Sequence, residues 1–546
     1  MNFKENESAQ KLRGGYYTSL DLANYLSKWV AETHPKSILE PSCGNGIFLE
    51  ALSPFVTKGT SITAIELEHQ EALQASEKIR GLNKLSANIL CADFLEWYLD
   101  EDQNHDPFDA VVGNPPFIRY QYLTKQEQDF SERIFKRHHL PFTKHTNAWV
   151  PFVIASLSLL RPGGRMAMVL PAEILHVLHA QALRYFLGQH CKRIIIIDPE
   201  EIWFEGTLQG AILFLAEKKR DVKEHTVGLG IIQTIGNAFL DTSPSDYFEK
   251  TNFVNGKTVE GKWTRALLTR KELEVFDGIA STPSVHRFSD IANVDVGLVT
   301  GANKFFLVDD DTVKKHGLVE WSHPMFGRSE HCPGILYDDK QHQENARLGL
   351  PSNFLWFDVD DATELPENVL EYIRFGEREN LHTRYKCRIR KPWFKVPSVY
   401  STPIGMLKRA HDMPRLIYND VEAYTTDTAY RITPHKVHAK KFVYCFINSL
   451  TALSSELEGR HYGGGVLELV PSEIECLYVP LPNRTQISIK SLDNMIRNAQ
   501  AKDVLICQDN KILRELGLSS NEMACIRDSW DKLRKRRQRS TSRSSQ

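Results

Sequence analysis

The sequence lacks the features that mark secreted or membrane-anchored proteins. Its nine cysteines are scattered and form no CxxC pair, which argues against a disulfide framework and against a thiolate zinc site. The N-terminus has no apolar segment of the kind found in signal peptides. Apolar runs such as Ile194 to Ile197 are far too short to cross a membrane. We therefore expect a cytoplasmic protein with no membrane partner.

The net charge also gives no sign of a nucleic-acid partner. The 546 residues carry 67 Lys and Arg against 69 Asp and Glu, which leaves a net charge of −2. Hydrophobic residues make up 42% and charged residues 25%, as in a globular protein long enough for two or three domains. Any nucleic-acid site would therefore have to be a local basic patch.

The most informative stretch is 113–118, with the sequence Gly-Asn-Pro-Pro-Phe-Ile, directly after an apolar run typical of a buried strand. Two prolines fix φ and remove two backbone donors, so the chain leaves the sheet in one rigid shape. That shape places the Asn114 side chain and the Pro115 carbonyl as two acceptors beside the Phe117 ring. Such a set suits a planar amine, such as the exocyclic amino group of a base. A tight turn after a strand has the same signature.

An earlier strand, 37–39, is followed by a turn with two glycines and by a helix, 47–52. Strand, glycine-rich turn and helix form the first βα unit of a nucleotide-binding sheet, in which Gly44 and Gly46 let a ligand approach the backbone. The turn is not a GxGxxG fingerprint and no Walker lysine follows it, which disfavours a pyrophosphate ligand.

Two further predicted strands end in acidic residues. Strand 61–65 ends at Glu66, where folds of this kind hold a ribose diol, although a surface glutamate at a helix start is the alternative. Strand 88–91 ends just before Asp93, which suits an adenine amino group, and Phe94, which suits its ring. Together with the Asn-Pro-Pro-Phe segment, these residues predict one crevice at the carboxyl edge of a parallel sheet.

The remaining elements of the first half are predicted from apolar runs. A long basic segment, 119–146, suggests a functional loop with a helical part, and its histidines are more typical of a solvated loop than of a metal site. A helix follows at 148–160, and the sheet is predicted to continue with three strands, the last of which closes it: 165–170, 193–198 and 211–215. The polar stretch 221–260 is interpreted as a domain boundary.

The second half loses the regular alternation of strands and helices. Residues 371–415 hold eleven Lys and Arg against four acids, with aromatic residues between them. A basic aromatic surface suits DNA, through phosphate contacts and the reading of base edges, whereas a solvated loop is the alternative. The candidate DNA-binding residues are Arg388, Arg390, Lys391 and Trp393. Residues 486–530 predict two or three helices, and 532–543 a disordered basic tail that contacts DNA backbone.

Taken jointly, these motifs resemble DNA adenine-N6 methyltransferases of the γ class, in which cofactor motif, catalytic motif and target-recognition domain follow in this order. The motifs of the first half are Gly14-Gly15-Tyr16-Tyr17-Thr18, Glu40-x-x-Cys43-Gly44-x-Gly46, Glu66, Asp93-Phe94 and Asn114-Pro115-Pro116-Phe117. The second half resembles the recognition region of type II restriction–modification enzymes through Gly297-x-x-Thr300-Gly301-Ala302-Asn303, Arg390-Lys391-Pro392-Trp393 and Gly459-Arg460-x-Tyr462-Gly463-Gly464-Gly465.

The resemblance implies a Rossmann-like class I methyltransferase sheet followed by a mixed α+β target-recognition domain. The expected divisions are 1–225 for the methyltransferase domain, 226–485 for target recognition, and 486–546 for a helical segment with a basic tail. Double-stranded DNA would be the substrate, and a cognate restriction endonuclease the functional partner.

The resemblance also implies a role for each motif. S-adenosylmethionine would be bound by Thr18, Glu40, Pro41, Cys43, Gly44 and Gly46, with Glu66 at the ribose and Asp93 and Phe94 at the adenine. The target adenine would be flipped out of the duplex, and Asn114 and the Pro115 carbonyl would accept its N6 hydrogens. Pro116 completes the catalytic motif. Phe117 would stack on one face of the base, and Phe204, or alternatively Trp203, on the other. No metal is required, because the sulfonium is already activated.

Three alternatives share part of these signatures. Protein-glutamine N-methyltransferases carry the same Asn-Pro-Pro-aromatic motif but need no second domain of this size. A non-catalytic, sequence-specific DNA-binding protein would keep the basic second half without requiring Asn114 and Asp93 in register. A fused restriction–modification enzyme would need a nuclease constellation, which we do not find downstream.

Overall fold

The computed structural model describes residues 18–82, 86–100, 105–199, 210–255, 259, 261–462 and 464–538. The chain forms two compact units that divide between Leu267 and Leu268. Within the described ranges, no helix is both long enough and apolar enough to span a membrane. All nine cysteines are free thiols.

The first unit is built on one large sheet. Its strands are β1 (Ser37–Glu40), β2 (Ser61–Glu66), β3 (Ser86–Cys91), β4 (Phe108–Gly113), β5 (Leu160–Pro171), β6 (Cys191–Pro199), β7 (Ala211–Lys218) and β8 (Gly228–Thr234). Its helices are α1 (Leu20–Ala31), α2 (Ile47–Leu52), α3 (His69–Arg80), α4 (Phe94–Leu99), α5 (Lys125–Arg137), α6 (Trp149–Leu159), α7 (Gln181–His190) and α8 (Pro244–Lys250). The strand order is β3-β2-β1-β4-β5-β7-β6-β8, and only β7 runs antiparallel to its neighbours.

Alternating side chains bury both faces of this sheet, as expected where helices cover each side. Leu39 and Val111 point into one core with α4, α5, α6 and α7. Ile38, Ala110 and Val112 point into the opposite core with α1, α2, α3 and α8. The central strands are therefore apolar throughout, and polar chemistry is left to their ends.

The sheet differs from prediction at its last strands. β7 lies inside the sheet between β5 and β6, and β8 adds an edge strand parallel to β6, so the expectation that 211–215 closes the sheet is wrong. The expected boundary at residue 225 therefore falls within the first unit. β8 contains Gly228 and Gly230, and glycine has a low strand propensity. A Cβ on Gly230 would lie 2.4 Å from the Thr251 methyl, so the close packing of this strand leaves no room for a side chain there.

The long segment 119–146 is largely helical, since α5 occupies its centre. A capping box starts this helix: the Glu127 N–H donates to Thr124 Oγ1 at 3.2 Å, and the Thr124 N–H donates to Glu127 Oε2 at 2.7 Å. The predicted helical part is thus present, and it packs Phe130 and Ile134 into the core.

The second unit is mixed α+β, as predicted. Its strands are β9 (Val285–Arg287), β10 (Ala292–Val296), β11 (Leu307–Val308), β12 (Ser322–Phe326), β13 (Leu336–Tyr337), β14 (Asn353–Leu355), β15 (Ile404–Leu407), β16 (Arg409–Ala410), β17 (Leu416–Asn419), β18 (Tyr424–Thr425), β19 (Ala429–Pro434), β20 (Arg460–Tyr462), β21 (Val466–Glu468) and β22 (Tyr478–Pro480). The strands form sheets in the orders β10-β19-β15-β17-β13, β11-β14-β12-β18, β16-β21-β20 and β22-β9.

The helices of the second unit lie between and after these strands. They are α9 (Arg270–Ala280), α10 (Asn303–Phe306), α11 (Asp310–Lys315), α12 (Asp339–Arg347), α13 (Glu367–Arg378), α14 (Tyr385–Arg388), α15 (Ala439–Phe446), α16 (Ser449–Glu458), α17 (Pro471–Ile474), α18 (Ile489–Asn498), α19 (Ala501–Ile512) and α20 (Ser520–Gln538). The last three are the helices predicted near the C-terminus. They belong to this unit rather than to a separate segment that begins at residue 486.

The start of the expected basic tail is part of the folded unit. α20 continues to Gln538, so the prediction of a disordered tail is wrong for 532–538. The Arg537 guanidinium forms an ion pair with Glu456 at 2.6 Å, and both side chains are fully buried. The partner carboxylate is distant in sequence, so nothing local distinguishes Arg537 from a solvated charge.

Candidate active site

Four neighbouring strands deliver polar residues to one edge of the first sheet. β1 ends at Glu40, β2 at Glu66 and β4 at Gly113, and Asp93 follows β3. Because β3, β2, β1 and β4 are adjacent and parallel, their carboxyl ends share an edge. The structure thus brings together the side chains that the sequence placed at successive strand ends.

The turn after β1 depends on its two glycines. Gly46 has φ +81°, and a Cβ there would lie 3.2 Å from the backbone and side chain of Ala75 in α3. Gly44 has φ +50°, and its N–H donates to Glu66 Oε2 at 2.8 Å. The turn after β1 is therefore fixed to the end of β2 through a backbone donor and a carboxylate.

Three carboxylates line this edge, and burial raises the pKa of each. The carboxyl oxygens of Glu40 are buried and receive no hydrogen bond from the described residues, and its pKa is raised well above the ordinary value by burial and by the charge of Glu66. The Glu66 pKa is raised by burial, against hydrogen bonds from the N–H groups of Glu68 and Gly44. Two buried carboxyl groups therefore lie side by side at this edge, and each raises the cost of ionising the other, while the charge of Lys78 partly offsets this for Glu40.

Asp93 caps the helix that follows β3. Its Oδ1 accepts from the Leu95 N–H at 2.7 Å and the Glu96 N–H at 3.1 Å, while burial raises its pKa against these bonds. The neighbouring Phe94 is only 2% exposed, and its ring lies 5.1 Å from that of Phe152 in the core. Capping uses one carboxylate oxygen of Asp93 and sets the direction of the other.

The Asn-Pro-Pro-Phe segment is tied to the first turn. Asn114 Nδ2 donates to Thr18 Oγ1 at 3.2 Å, and the Ser42 hydroxyl donates to the Asn114 carbonyl at 3.0 Å. With Nδ2 as the donor to Thr18, Oδ1 is the acceptor end of the side chain. Gly113 packs tightly against the first turn, since a Cβ there would lie 3.3 Å from Pro41 Cδ.

The following residues complete this segment. Pro115 is buried and Pro116 is half-buried. The half-buried Phe117 ring packs against the apolar clusters on both sides of the sheet. Cys43, also a predicted site residue, is buried, and burial raises the pKa of its thiol, which keeps it neutral.

Sequence reasoning missed two groups beside this segment. Ser42 joins the first turn to Asn114, as described. Glu173, just past the end of β5, is buried and accepts from Asn147 Nδ2 at 2.8 Å and Trp149 Nε1 at 2.9 Å. An acid directly after a predicted strand is the same signal that identified Glu66, and it was available for Glu173.

Glu173 connects to the backbone that leaves the catalytic motif. Burial opposes its ionisation, but His179, whose Nε2 lies 3.6 Å from Glu173 Oε1, and the Asn147 and Trp149 donors lower its pKa to about 2. The amide oxygen of Asn147 in turn accepts from the Tyr120 N–H at 3.2 Å. The Glu173 carboxylate therefore holds, through Asn147, the backbone just beyond Phe117.

The four predicted DNA-contact residues divide into two pairs. Arg388 and Lys391 are exposed. Arg390 donates to the carbonyls of Thr300 at 2.7 Å and Val299 at 2.6 Å, and Trp393 packs in the core of the second unit. The predicted stacking residues, Phe204 and Trp203, lie outside the described residues.

The sheet order with an antiparallel β7, together with acidic strand ends and the glycine turn, defines a class I methyltransferase fold. Residues 2–237 match the family model described as N-6 DNA Methylase, and residues 260–513 match that of the type II methyltransferase M.Eco57I, C-terminal domain. Each half of the chain thus matches a methyltransferase family model, and the two matches together support a site-specific adenine-N6 DNA methyltransferase like those of type II restriction–modification systems.

Individual proteins show the same likeness at low identity. The type II methyltransferase M.AccI of Acinetobacter calcoaceticus is 22% identical over 84% of this chain and 84% of its own length. M.BstVI of Geobacillus stearothermophilus is 24% identical over 56% of this chain and 62% of its own length. The solved structure of the type IIL restriction–modification enzyme MmeI in complex with DNA covers 94% of this chain and 75% of its own, with a TM-score of 0.54 and 12% identity.

These findings confirm the predicted fold class and the predicted reaction. The protein-glutamine methyltransferase and the non-catalytic DNA-binding protein, which the motifs alone left open, are not supported. The family and the fold imply S-adenosylmethionine as the methyl donor.

Proposed function

We propose that the carboxyl edge of the first sheet binds S-adenosylmethionine and a flipped adenine side by side, and that Asn114 and Pro115 hold the adenine amino group. Two hydrogen bonds of Asn114 carry this proposal. Its side-chain amide donates to Thr18, and its backbone carbonyl accepts from Ser42. These bonds attach the catalytic segment to the turn that would hold the cofactor.

The residues at this edge fit the cofactor. The buried carboxylate of Glu40, without a hydrogen bond from the described residues, suits the cationic methionine end. Glu66 would accept from the ribose hydroxyls and Asp93 from the adenine amino group, with Phe94 against the ring. Thr18, Pro41, Cys43, Gly44 and Gly46 complete the site around the methionine part. S-adenosylmethionine, when bound, supplies an electrophilic methyl group.

The chain's own residues position the nucleophile. Asn114 Oδ1 and the Pro115 carbonyl accept the two N6 hydrogens, so the nitrogen lone pair is held in one direction. Phe117 stacks on one face of the base and excludes water from it, and we assign the other face to Phe204, with Trp203 as the alternative. Orientation of two reactants in this way contributes a large part of such rate enhancements. As the new N–C bond formed, the methyl–sulfur bond of the donor would break and the N6 nitrogen would release one proton to solvent.

Tritiated methyl transfer to duplex DNA tests this assignment. Asn114→Ala should abolish transfer and leave S-adenosylmethionine binding measurable by calorimetry, because only an acceptor for the amino group is removed. Asn510→Ala, an exposed helical asparagine of the second unit, is the matched control and should keep full activity. Activity in Asn114→Ala, or label on a base other than adenine, would refute the assignment.

We further propose that methylation protects cytoplasmic DNA from a restriction endonuclease with the same recognition sequence. The basis is that the two halves of the chain match an N-6 DNA methylase model and the C-terminal domain of a type II methyltransferase. DNA from cells that express the protein should carry N6-methyladenine in one short sequence, which sequencing reads directly. That DNA should resist an endonuclease specific for the same sequence.

A further inference from the structure

The segment 384–391 of the second unit holds two large apolar side chains in solvent. Tyr385 is 63% exposed and Ile389 is 61% exposed. They are four residues apart at the helix α14, a spacing that places them on one face. Single exposed apolar residues are ordinary, but a neighbouring pair of this size indicates a contact surface.

The same segment is rich in exposed cations. Those cations are Arg384, Lys386, Arg388 and Lys391. Two of them bracket the aromatic ring, with Lys386 Nζ 5.7 Å and the Arg388 guanidinium carbon 5.6 Å from the Tyr385 centroid. An aromatic side chain flanked by cations can contact bases and phosphates at once.

Ion pairing separates these four cations from others in the same basic stretch. Arg374 lies 2.7 Å from Glu367, and Lys395 lies 2.8 Å from Asp360. Within the described part of the chain, none of the four cations of 384–391 forms an ion pair. Their charge is therefore available to phosphates without the displacement of a carboxylate.

The segment is held in place by buried contacts. Cys387 lies in the apolar core, and Arg390 donates to the carbonyls of Val299 and Thr300. Gly301, at φ +79°, allows the loop to approach so closely that a Cβ there would lie 2.7 Å from Lys386 Cβ. Arg390 is thus an internal clamp, and the exposed side chains belong to a fixed surface.

We propose that 384–391 is a DNA-contact wedge, in which Tyr385 and Ile389 press on the base pairs while the four cations bind flanking phosphates. Flipping a base requires local unstacking, and proteins that distort duplexes commonly use apolar side chains beside cations. The inference rests on the proposed function, since it takes duplex DNA as the substrate. It removes Arg390 and Trp393 from the predicted contacts and adds Tyr385, Ile389, Arg384 and Lys386.

The salt dependence of binding to a random-sequence duplex tests the cations. Replacing all four with Ala should make the slope of log affinity against log salt shallower by about 3.6, at about 0.9 for each lost phosphate contact. Arg374→Ala with Lys395→Ala is the control, because both cations are already paired, and the slope should hardly change. Equal slopes in the two variants would overturn the proposal.

The apolar pair is tested by Tyr385→Ala with Ile389→Ala. We expect binding about tenfold weaker or more at an unchanged salt slope, since stacking and apolar contacts release no ions. Val319→Ala with Leu348→Ala is the matched control, because these residues are 66% and 55% exposed in the same unit. Equal affinities of the two double variants would overturn the wedge.

Two further measurements separate a loss of DNA contact from a loss of folding. Tyr385→Phe retains the ring and should bind like the wild type, and thermal midpoints show whether a variant is folded. If the double variant changes self-association in sedimentation and leaves DNA affinity unaltered, the surface is an interface between copies and the proposal fails. A wild type that binds duplexes but transfers no methyl group would refute the proposed function. The binding measurements on the variants would still test the wedge in that case.

Discussion

The carboxyl edge of the first sheet and the basic stretch of the second unit were both predicted as functional sites. The structure brings the predicted side chains together at the sheet edge, but in the basic stretch it places two of them in internal contacts. At the sheet edge, Glu40, Glu66 and Asp93 follow adjacent strand ends, so topology brings them together. In the basic stretch, prediction rested on composition, and Arg390 and Trp393 turn out to make internal contacts. Position relative to a strand end therefore locates a side chain, whereas local charge alone does not.

The largest effect is expected where a cation predicted to be solvated is instead buried. Arg537→Ala removes the guanidinium from the buried Glu456 carboxylate and leaves that carboxylate in the interior beside the His461 ring, 3.8 Å away, which should destabilise the protein by about 3–5 kcal/mol. Lys535→Ala is the matched control, because Lys535 forms a surface pair with Asp531 at 2.9 Å, worth at most about 1 kcal/mol. Denaturant unfolding measures both. Similar losses in the two variants would mean that Arg537 is not a buried partner.

The next largest effect is the loss of activity expected when Glu173, which sequence reasoning missed, is replaced. Glu173→Gln removes the charge that orients Asn147, so the backbone after Phe117 should shift. We expect kcat to fall about 100-fold, the scale of a small misplacement of reacting groups, with S-adenosylmethionine affinity unchanged. Glu217→Gln is the control, since Glu217 pairs with Arg193 at the other end of the strands. An unchanged kcat in Glu173→Gln would show that this network does not position the site.

A smaller effect is expected at Glu40. Glu40→Gln should weaken S-adenosylmethionine binding about tenfold, since a hydrogen bond to a charged group is worth about 1.5–3 kcal/mol. The cofactor-free protein should become more stable near neutral pH, because a buried charge is removed. The raised pKa gives the sign: wild-type stability declines as pH rises from the ordinary carboxyl value through the raised one. Calorimetry and thermal unfolding across pH check both statements, and a loss of stability in Glu40→Gln would contradict the second.

The smallest effect separates two neighbours in the basic stretch. Lys391→Ala should reduce the salt slope of DNA binding by about 0.9 and leave the thermal midpoint unchanged. Arg390→Ala should do the reverse, because its guanidinium holds the loop at Val299 and Thr300. Anisotropy titrations and thermal unfolding distinguish the two residues. A change of slope in Arg390→Ala would restore it to the DNA contacts.

Much of the first unit was predictable because its signals are local. The predicted helix 47–52 matches α2, and the predicted strands 37–39 and 61–65 end one residue before β1 and β2 do. Apolar runs bounded by turn residues and acids at strand ends carry this information along the chain. The family resemblance then assigned a cofactor-binding or catalytic role to each residue at these strand ends.

What could not be predicted depends on partners far away in sequence. β8 is a weak strand by composition, and it forms because β6 offers an edge and Thr251 packs on Gly230. Arg537 needs Glu456, and Trp393 needs the aromatic core around Phe305, whose ring lies 5.1 Å away. Glu173 was within reach of sequence reasoning, since it follows a predicted strand as Glu66 does.

The ion pair of Arg537 has a consequence for the order in which the chain becomes structured during synthesis. The described residues of the first unit all precede residue 268, so this unit can fold while translation continues. The second unit joins its first helix to its last, with Lys532 2.8 Å from Glu272 and Arg537 on Glu456. The Glu456 carboxylate therefore gains its guanidinium partner only after residue 537 has been made. A cell therefore gains the folded methyltransferase sheet before the second unit is complete.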